Sequence, residues 1–204
     1  DIGQTLLVVF CWAVLIFTSG INIYILLAIF IAGASLLTYL IIYVPRFDYI
    51  QGRIFSFFNR ETGTHNFQSD KAIESITSGG FFGKGIGEGV LKNRVPEAHT
   101  DYIISVISEE FGVVAIMLIL LLFLILIYMV FKKISFETND KVKLILIGSI
   151  SLILMQATIH VGVNIRLFPT TGMTLPFLSY GGSSIISTSI LGGIILNLTK
   201  RKIT

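Results

Sequence analysis

From Val113 to Phe131 the chain carries no charged side chain, and that run decides the fold class. About 20 consecutive apolar residues make a helix long enough to cross a bilayer. In hydrocarbon every backbone N–H and C=O must find a partner inside the protein, so only a helix or a closed barrel can span it. Four more runs have the same character: 2–18, 23–44, 142–165 and 179–198. With the residues leading into it, the central run reads as 102–131. An all-α integral membrane protein with about five transmembrane helices is expected. Composition supports this: 13% of residues are charged and 53% are hydrophobic, against about 25% charged in an ordinary soluble domain. The net charge of +3 does not call for nucleic acid, because Lys and Arg of membrane proteins gather in cytoplasmic loops. The single cysteine, Cys11, permits no intrachain disulfide.

The first apolar run begins directly after Asp1, with no basic segment or cleavage site, so it is not a signal peptide. A chain entered partway through a longer protein is expected, inactive alone. Residues 45–101 form a large polar excursion, with short helices expected around 49–58 and 70–78. Loops of that length in a compact protein are usually functional. Lys132, Lys133, Lys141 and Lys143 occupy one short loop, and Lys200, Arg201 and Lys202 the tail. Two helices separate these segments, so they share a side, which the positive-inside rule makes cytoplasmic. The 45–101 and 166–178 loops are then extracytoplasmic.

Two runs concentrate the chemistry. In PEAHTDYIISVISEEFG at 96–112, the residues Asp101, Ser105, Ser108, Glu109 and Gly112 recur at helical spacing and are expected on one face. A carboxylate held above a membrane boundary can act as general base on a substrate hydroxyl. Thr100 and Asp101 equally suit a helix N-terminus. Glu109 and Glu110 at a membrane edge point to function, or to pairing with a cation such as Arg166. His99 beside one glutamate is a weak metal signal. GGFFGKGIGEG at 79–89 lacks nucleotide-loop spacing. It reads as a turn whose backbone can approach a ligand, with Lys84, Lys92 and Arg94 near enough in sequence to meet phosphate. In 164–180, Pro169 and Pro176 prevent a continuous helix. Gly181-Gly182-Ser183-Ser184 suits close helix packing or substrate contact.

These runs resemble the SEDS family of bacterial membrane glycosyltransferases, whose members include FtsW, RodA and SpoVE. The resemblance extends over nearly the whole chain. Asp1-Ile2-Gly3 is similar to the end of the family's Pro-Asp-x-Gly motif, and Phe67-Gln68 to its Tyr-Gln. GGFFGKGIGEG resembles its glycine turn, PEAHTD its most characteristic motif, and FPTTGMTLPFLSYGGSS at 168–184 its last loop. Residues 1–204 resemble the C-terminal five of the family's ten helices. Thr174-Leu175-Pro176 looks more like FtsW, the septal member, although Thr171 stands where FtsW-type sequences often carry Lys.

The resemblance implies a peptidoglycan glycosyltransferase of the bacterial cytoplasmic membrane that polymerises lipid II with inversion, with septal synthesis favoured over RodA-like elongation. It implies Asp101 as the catalytic residue. Candidate substrate-binding residues are Gln68, Lys84, Lys92, Arg94, Glu97, His99, Thr100, Glu109, Arg166, Thr174, Ser179 and Ser183. A divalent ion, Mg or Mn, is a candidate cofactor. Expected partners are lipid II, an undecaprenyl-linked glycan strand, a class B penicillin-binding protein and other divisome membrane proteins, with no nucleic acid. The rival readings are a lipid II flippase or other transporter, and a non-catalytic divisome scaffold. A transporter calls for ionisable residues deep in the spans, where this sequence has few.

Overall fold

A computed structural model describes residues 2–58, 64–90, 94–95 and 97–200. The described residues form α1 (Ile2–Thr18), α2 (Ile23–Tyr43), a 3-10 turn (Pro45–Phe47), α3 (Asp48–Phe58), α4 (Thr64–Gly79), α5 (Ile103–Phe136), α6 (Asp140–Asn164) and α7 (Gly182–Thr199). Helices α2, α5, α6 and α7 are long and apolar enough to cross a membrane, and α1 is a shorter apolar helix. The all-helical membrane fold expected from the sequence is the one found. Both short helices of the polar excursion form, each longer than expected.

Helix α6 is the hub, packing against α1, α4, α5 and α7. Its inward face buries Leu146, Ile150, Ile153, Ala157, His160, Val163 and Asn164. Lipid supplies little hydrophobic drive for helix association, so close approach through small residues carries more weight. At Gly148 an added Cβ would lie 3.3 Å from Leu15, and the Gly148 carbonyl accepts from the Cys11 thiol at 3.6 Å. The outward faces stay apolar: Met117, Leu118, Leu122 and Phe131 of α5 are all exposed, as suits a lipid-facing surface.

Helix α5 departs from its expectation. It starts at Ile103, so Asp101 precedes it rather than heading its polar face. It is also broken at Gly112, whose φ of 78° and ψ of −178° are non-helical. In an unbroken helix the amides of Val113 and Val114 would donate to the carbonyls of Glu109 and Glu110. Here the glycine-rich turn is spliced into that gap. Val113 N donates to Gly80 O (3.0 Å) and Val114 N to Phe81 O (3.3 Å). In exchange Lys84 N donates to Glu109 O (2.8 Å) and Gly85 N to Glu110 O (3.0 Å). All four freed backbone groups are satisfied, as burial near a membrane demands.

Helix α6 ends in a Schellman motif: Leu167 N donates to Gly162 O at 2.7 Å and Arg166 N to Val163 O at 3.1 Å. Arg166 takes the left-handed position with φ 60°, a conformation costing a non-glycine residue about 1–2 kcal/mol. The reversal sends residues 167–180 back over the 97–102 turn. Helix α7 begins at Gly182, not at Ser179 as expected, because Ser179 is spent on the loop.

Candidate functional site

Asp101 lines a cleft of about 310 Å³ with Arg53, Gln68, Glu97, Tyr102, Thr170 and Gly172. Five elements meet there: α3 brings Arg53, α4 brings Gln68, α6 brings Val163, and the 97–102 turn and the 167–180 loop bring the rest. The turn is tight, with Thr100 N and Asp101 N both donating to Glu97 O at 3.1 Å. Glu97 adopts φ 62°, strain that persists only where the surroundings enforce it. The Thr100 hydroxyl donates to Glu97 O at 3.0 Å and lies 3.3 Å from Glu97 Oε2.

The capping reading of Thr100 and Asp101 is corrected. The N-cap of α5 is Tyr102, and its side chain makes no capping bond. The cap comes from another helix: Asn164 Oδ1 of α6 accepts from Ser105 N at 3.3 Å and from Ser105 Oγ at 2.7 Å. Asn164 Nδ2 donates to Asp101 O at 3.0 Å and to His160 O at 2.9 Å. The Asp101 carboxylate is thus not consumed as a cap. Burial first, and then the Glu97 carboxylate, push it up from 3.8 to about 6, against the pull of Arg53 and a hydrogen bond from Thr100. A half-buried carboxyl poised near neutrality suits a general base.

The last loop is stitched to the turn. Ser179 Oγ donates to Thr100 O at 2.7 Å and accepts from Leu175 N at 2.8 Å. Tyr180 N donates to His99 O at 3.0 Å, while the His99 side chain is exposed. Thr174 and Ser183 line an adjoining cleft of about 440 Å³ that shares Gly172 and Met173 with the first. There Thr174 Oγ1 donates to Ser184 Oγ at 2.7 Å, and Gln156 Nε2 donates to Thr174 O at 2.9 Å. On the other side lies an apolar groove of about 470 Å³ between α1, α2, α3 and residues 169–171, and it shares Arg53 and Thr170 with the Asp101 cleft.

The remaining candidates lie outside the Asp101 cleft. Lys84, Arg94 and Glu109 line a cavity of about 150 Å³ with Lys71, Glu74 and Ser75. Arg166 pairs with Asp70 of α4 rather than with a glutamate of α5. Lys92 falls outside the described residues. Ser105, Ser108 and Glu109 face protein: Ser108 Oγ donates to Ile76 O at 3.5 Å, and Glu109 Oε1 sits 2.8 Å from Lys84 Nζ. Glu109 is 4% exposed and Lys84 38% in that pair. Removing the lysine takes a cation from a buried carboxylate that keeps its bonds from Ser75 Oγ (3.3 Å) and Val90 N (3.2 Å). Losing a buried ionic partner costs several kcal/mol in a dry site and less where that partner reaches water. Lys84→Ala is expected to lower stability by about 1–3 kcal/mol. Adding Glu109→Gln should recover much of it, as read from thermal unfolding of the detergent-solubilised protein.

Among the described residues no three His, Cys, Asp or Glu side chains gather at metal-holding distance. Glu97 and Asp101 are the carboxylates on the cleft, and Mg²⁺ commonly uses one or two carboxylates beside substrate phosphates and water. Those two residues would meet such an ion. Sequence reasoning missed Arg53, Gln156, His160 and Asn164. The signal for the last three was polar residues four apart inside an apolar run.

The cell cycle protein family of FtsW, RodA and SpoVE matches residues 1–203. A Caulobacter vibrioides protein named probable peptidoglycan glycosyltransferase FtsW is 34% identical over 99% of this chain and 51% of its own length. An Enterococcus hirae protein of the same name is 39% identical over 67% of the chain and 35% of its own length. A solved peptidoglycan synthase complex, described as coordinating polymerization and crosslinking, superposes over 100% of this chain and 57% of its own, with a TM-score of 0.75 and 26% identity. The chain spans about half the length of the relatives it matches.

Proposed function

Because the chain belongs to the FtsW, RodA and SpoVE family of cell cycle proteins, we propose that it carries the catalytic site of a septal peptidoglycan glycosyltransferase acting on lipid II. The observation that carries this reading is Asp101: half-buried, not used as a helix cap, and raised to about 6. Asp101 takes the proton from the 4-hydroxyl of the acceptor GlcNAc. The freed oxygen attacks C1 of the donor strand's lipid-linked MurNAc from the face opposite the leaving group. The C1–O bond to phosphate breaks, its electron pair departs with undecaprenyl pyrophosphate, and the new β-1,4 bond is formed with inversion. Among the described residues, Arg53 is the cation lining the cleft with Asp101. A guanidinium matches the planar, bidentate demand of phosphate oxygens, so Arg53 meets the departing charge. A divalent ion, when bound by Glu97 and Asp101, would neutralise part of that charge.

A polar cleft opening beside an apolar groove suits a substrate with a sugar head and a polyprenyl tail. The cleft then lies on the extracytoplasmic side and the C-terminus on the cytoplasmic side, the arrangement the loop lysines favour. A class B penicillin-binding protein is the partner, in keeping with the superposed synthase complex.

The test is polymerisation of purified lipid II by the full-length protein with its penicillin-binding partner. Glycan strands support the enzyme. Lipid II crossing a vesicle bilayer without strand formation would establish the transporter, and neither activity from an inserted, partner-bound protein would establish the scaffold. The rate should carry an acid limb. The base must be ionised, so activity falls as pH drops through about 6, by about tenfold per unit below it. A flat profile between pH 5 and 7.5 would remove Asp101 from the proton transfer.

A further inference from the structure

We propose that Gln156, His160 and Asn164 of α6 form a ladder that positions the two halves of the Asp101 cleft against each other. The proposal rests on Asp101 being the base. The three residues are spaced four apart, so they rise along one helix face. Each holds the backbone of a segment bordering the cleft. Asn164 Nδ2 donates to Asp101 O, and its Oδ1 caps α5 through Ser105. One turn earlier, His160 Nδ1 lies 2.7 Å from Met173 O. One turn earlier again, Gln156 Nε2 donates to Thr174 O and lies 3.1 Å from Thr174 Oγ1. Gly172, next to Met173, would place an added Cβ 3.7 Å from Asp101 Oδ2, so the residue that faces the carboxylate adjoins the one whose carbonyl His160 holds.

His160 and Asn164 are fully buried. Polar side chains inside a spanning helix are costly and persist where they have a function. The carbonyl against Nδ1 requires the proton on that nitrogen, which leaves Nε2 a bare acceptor with no hydrogen-bond partner among the described residues. The histidine therefore works through Nδ1 alone. A rigid helix fixing both loops keeps the base within the tolerance that catalysis demands, since displacement by about 1 Å costs on the order of 10²-fold in rate.

The test uses the full-length protein with its penicillin-binding partner and lipid II. Asn164→Ala and His160→Ala are expected to lower kcat by about 10–100-fold with KM for lipid II nearly unchanged. His160→Asn keeps a donor where Nδ1 stands and should recover most of the loss, whereas His160→Gln places its amide nearer Nε2 and should not. Adding Asn164→Ala to Asp101→Asn should cost little more, because the two act as one unit. Wild-type kcat in folded Asn164→Ala and His160→Ala proteins, a loss carried by KM, equal activity of the Asn and Gln variants, or full additivity with Asp101→Asn would each overturn the ladder. If the alanine variants fail to insert, the His160→Asn and His160→Gln pair decides it alone. An active Asp101→Asn protein would overturn the base itself, a separate outcome.

Discussion

Asp101→Asn is expected to insert, fold and bind its partner as wild type does, while forming glycan strands about 10²–10⁴-fold more slowly. The size follows from what a general base contributes when a sugar hydroxyl is the nucleophile. Asn fills the same space and can accept a hydrogen bond, but it cannot take a proton. The main-chain bond from Asn164 to Asp101 O is indifferent to the substitution. The turn that presents residue 101 is held by the Glu97 carbonyl and by Ser179, and the one carboxylate contact within it, from Thr100, can be accepted equally by the asparagine oxygen.

The same substitution should leave stability intact or raise it. A carboxyl whose folded pKa stands above its unfolded value holds its proton more tightly in the native state. The folded protein is therefore relatively favoured below the unfolded value near 3.8, and loses that advantage as pH rises to about 6. At pH 7 the ionised group opposes folding, and Asn removes the opposition. A thermal midpoint equal to or above wild type, together with lost polymerisation, marks a catalytic residue. A lower midpoint with proportionate loss of activity would assign Asp101 a structural role. Asp101→Glu should also be poor, because the extra methylene moves the carboxylate off a base whose backbone is clamped on both sides.

What could be read from the sequence follows how local each determinant is. The spans were legible because their hydrophobicity is a property of consecutive residues, and their ends shifted by only a few positions. PEAHTD drew attention to Asp101 because charge beside an apolar run is conspicuous. The break at Gly112 was hidden, since a single glycine at the head of an apolar run is compatible with continuous helix and the cause lies some 30 residues earlier in the glycine turn. Helical spacing grouped Asp101 with Ser105, Ser108 and Glu109. The structure divides them: the carboxylate faces a cleft, and the others are bound to α4, α6 and Lys84. Arg53 is one charge in an aromatic-rich stretch, and only the packing of α3 against Thr170 gives it a place, through a bond of 3.2 Å from its guanidinium to the Thr170 carbonyl. Lys84 and Arg94 drew notice as cations near glycines, yet the nearest call on Lys84 is a buried glutamate that the sequence sets 25 residues away.

Gly112→Ala is expected to be severely damaging, lowering stability by about 3 kcal/mol or more and leaving little inserted, protease-resistant protein. Two independent costs meet there. The backbone at φ 78° and ψ −178° lies in a region that is essentially glycine-only. An added Cβ would also stand 2.2 Å from Phe81 O and 2.5 Å from Gly83 N. Those atoms belong to backbone that cannot swing aside as a side chain can. Gly83 faces the reciprocal problem, with φ 78° and a Cβ only 2.2 Å from Glu110 O, so Gly83→Ala should behave alike. Forcing the two strands of this splice apart would break the four exchanged hydrogen bonds together and leave their donors and acceptors unpaired at the membrane edge. Gly193→Ala is the control: it meets nothing within 4 Å and lies within α7, where alanine is the better helix former by about 1 kcal/mol. Thermal unfolding and limited proteolysis of the three proteins in one detergent decide the matter. A Gly112→Ala protein as stable as the Gly193→Ala control would mean that α5 can run straight through residue 112, and that the glycine turn merely rests against it.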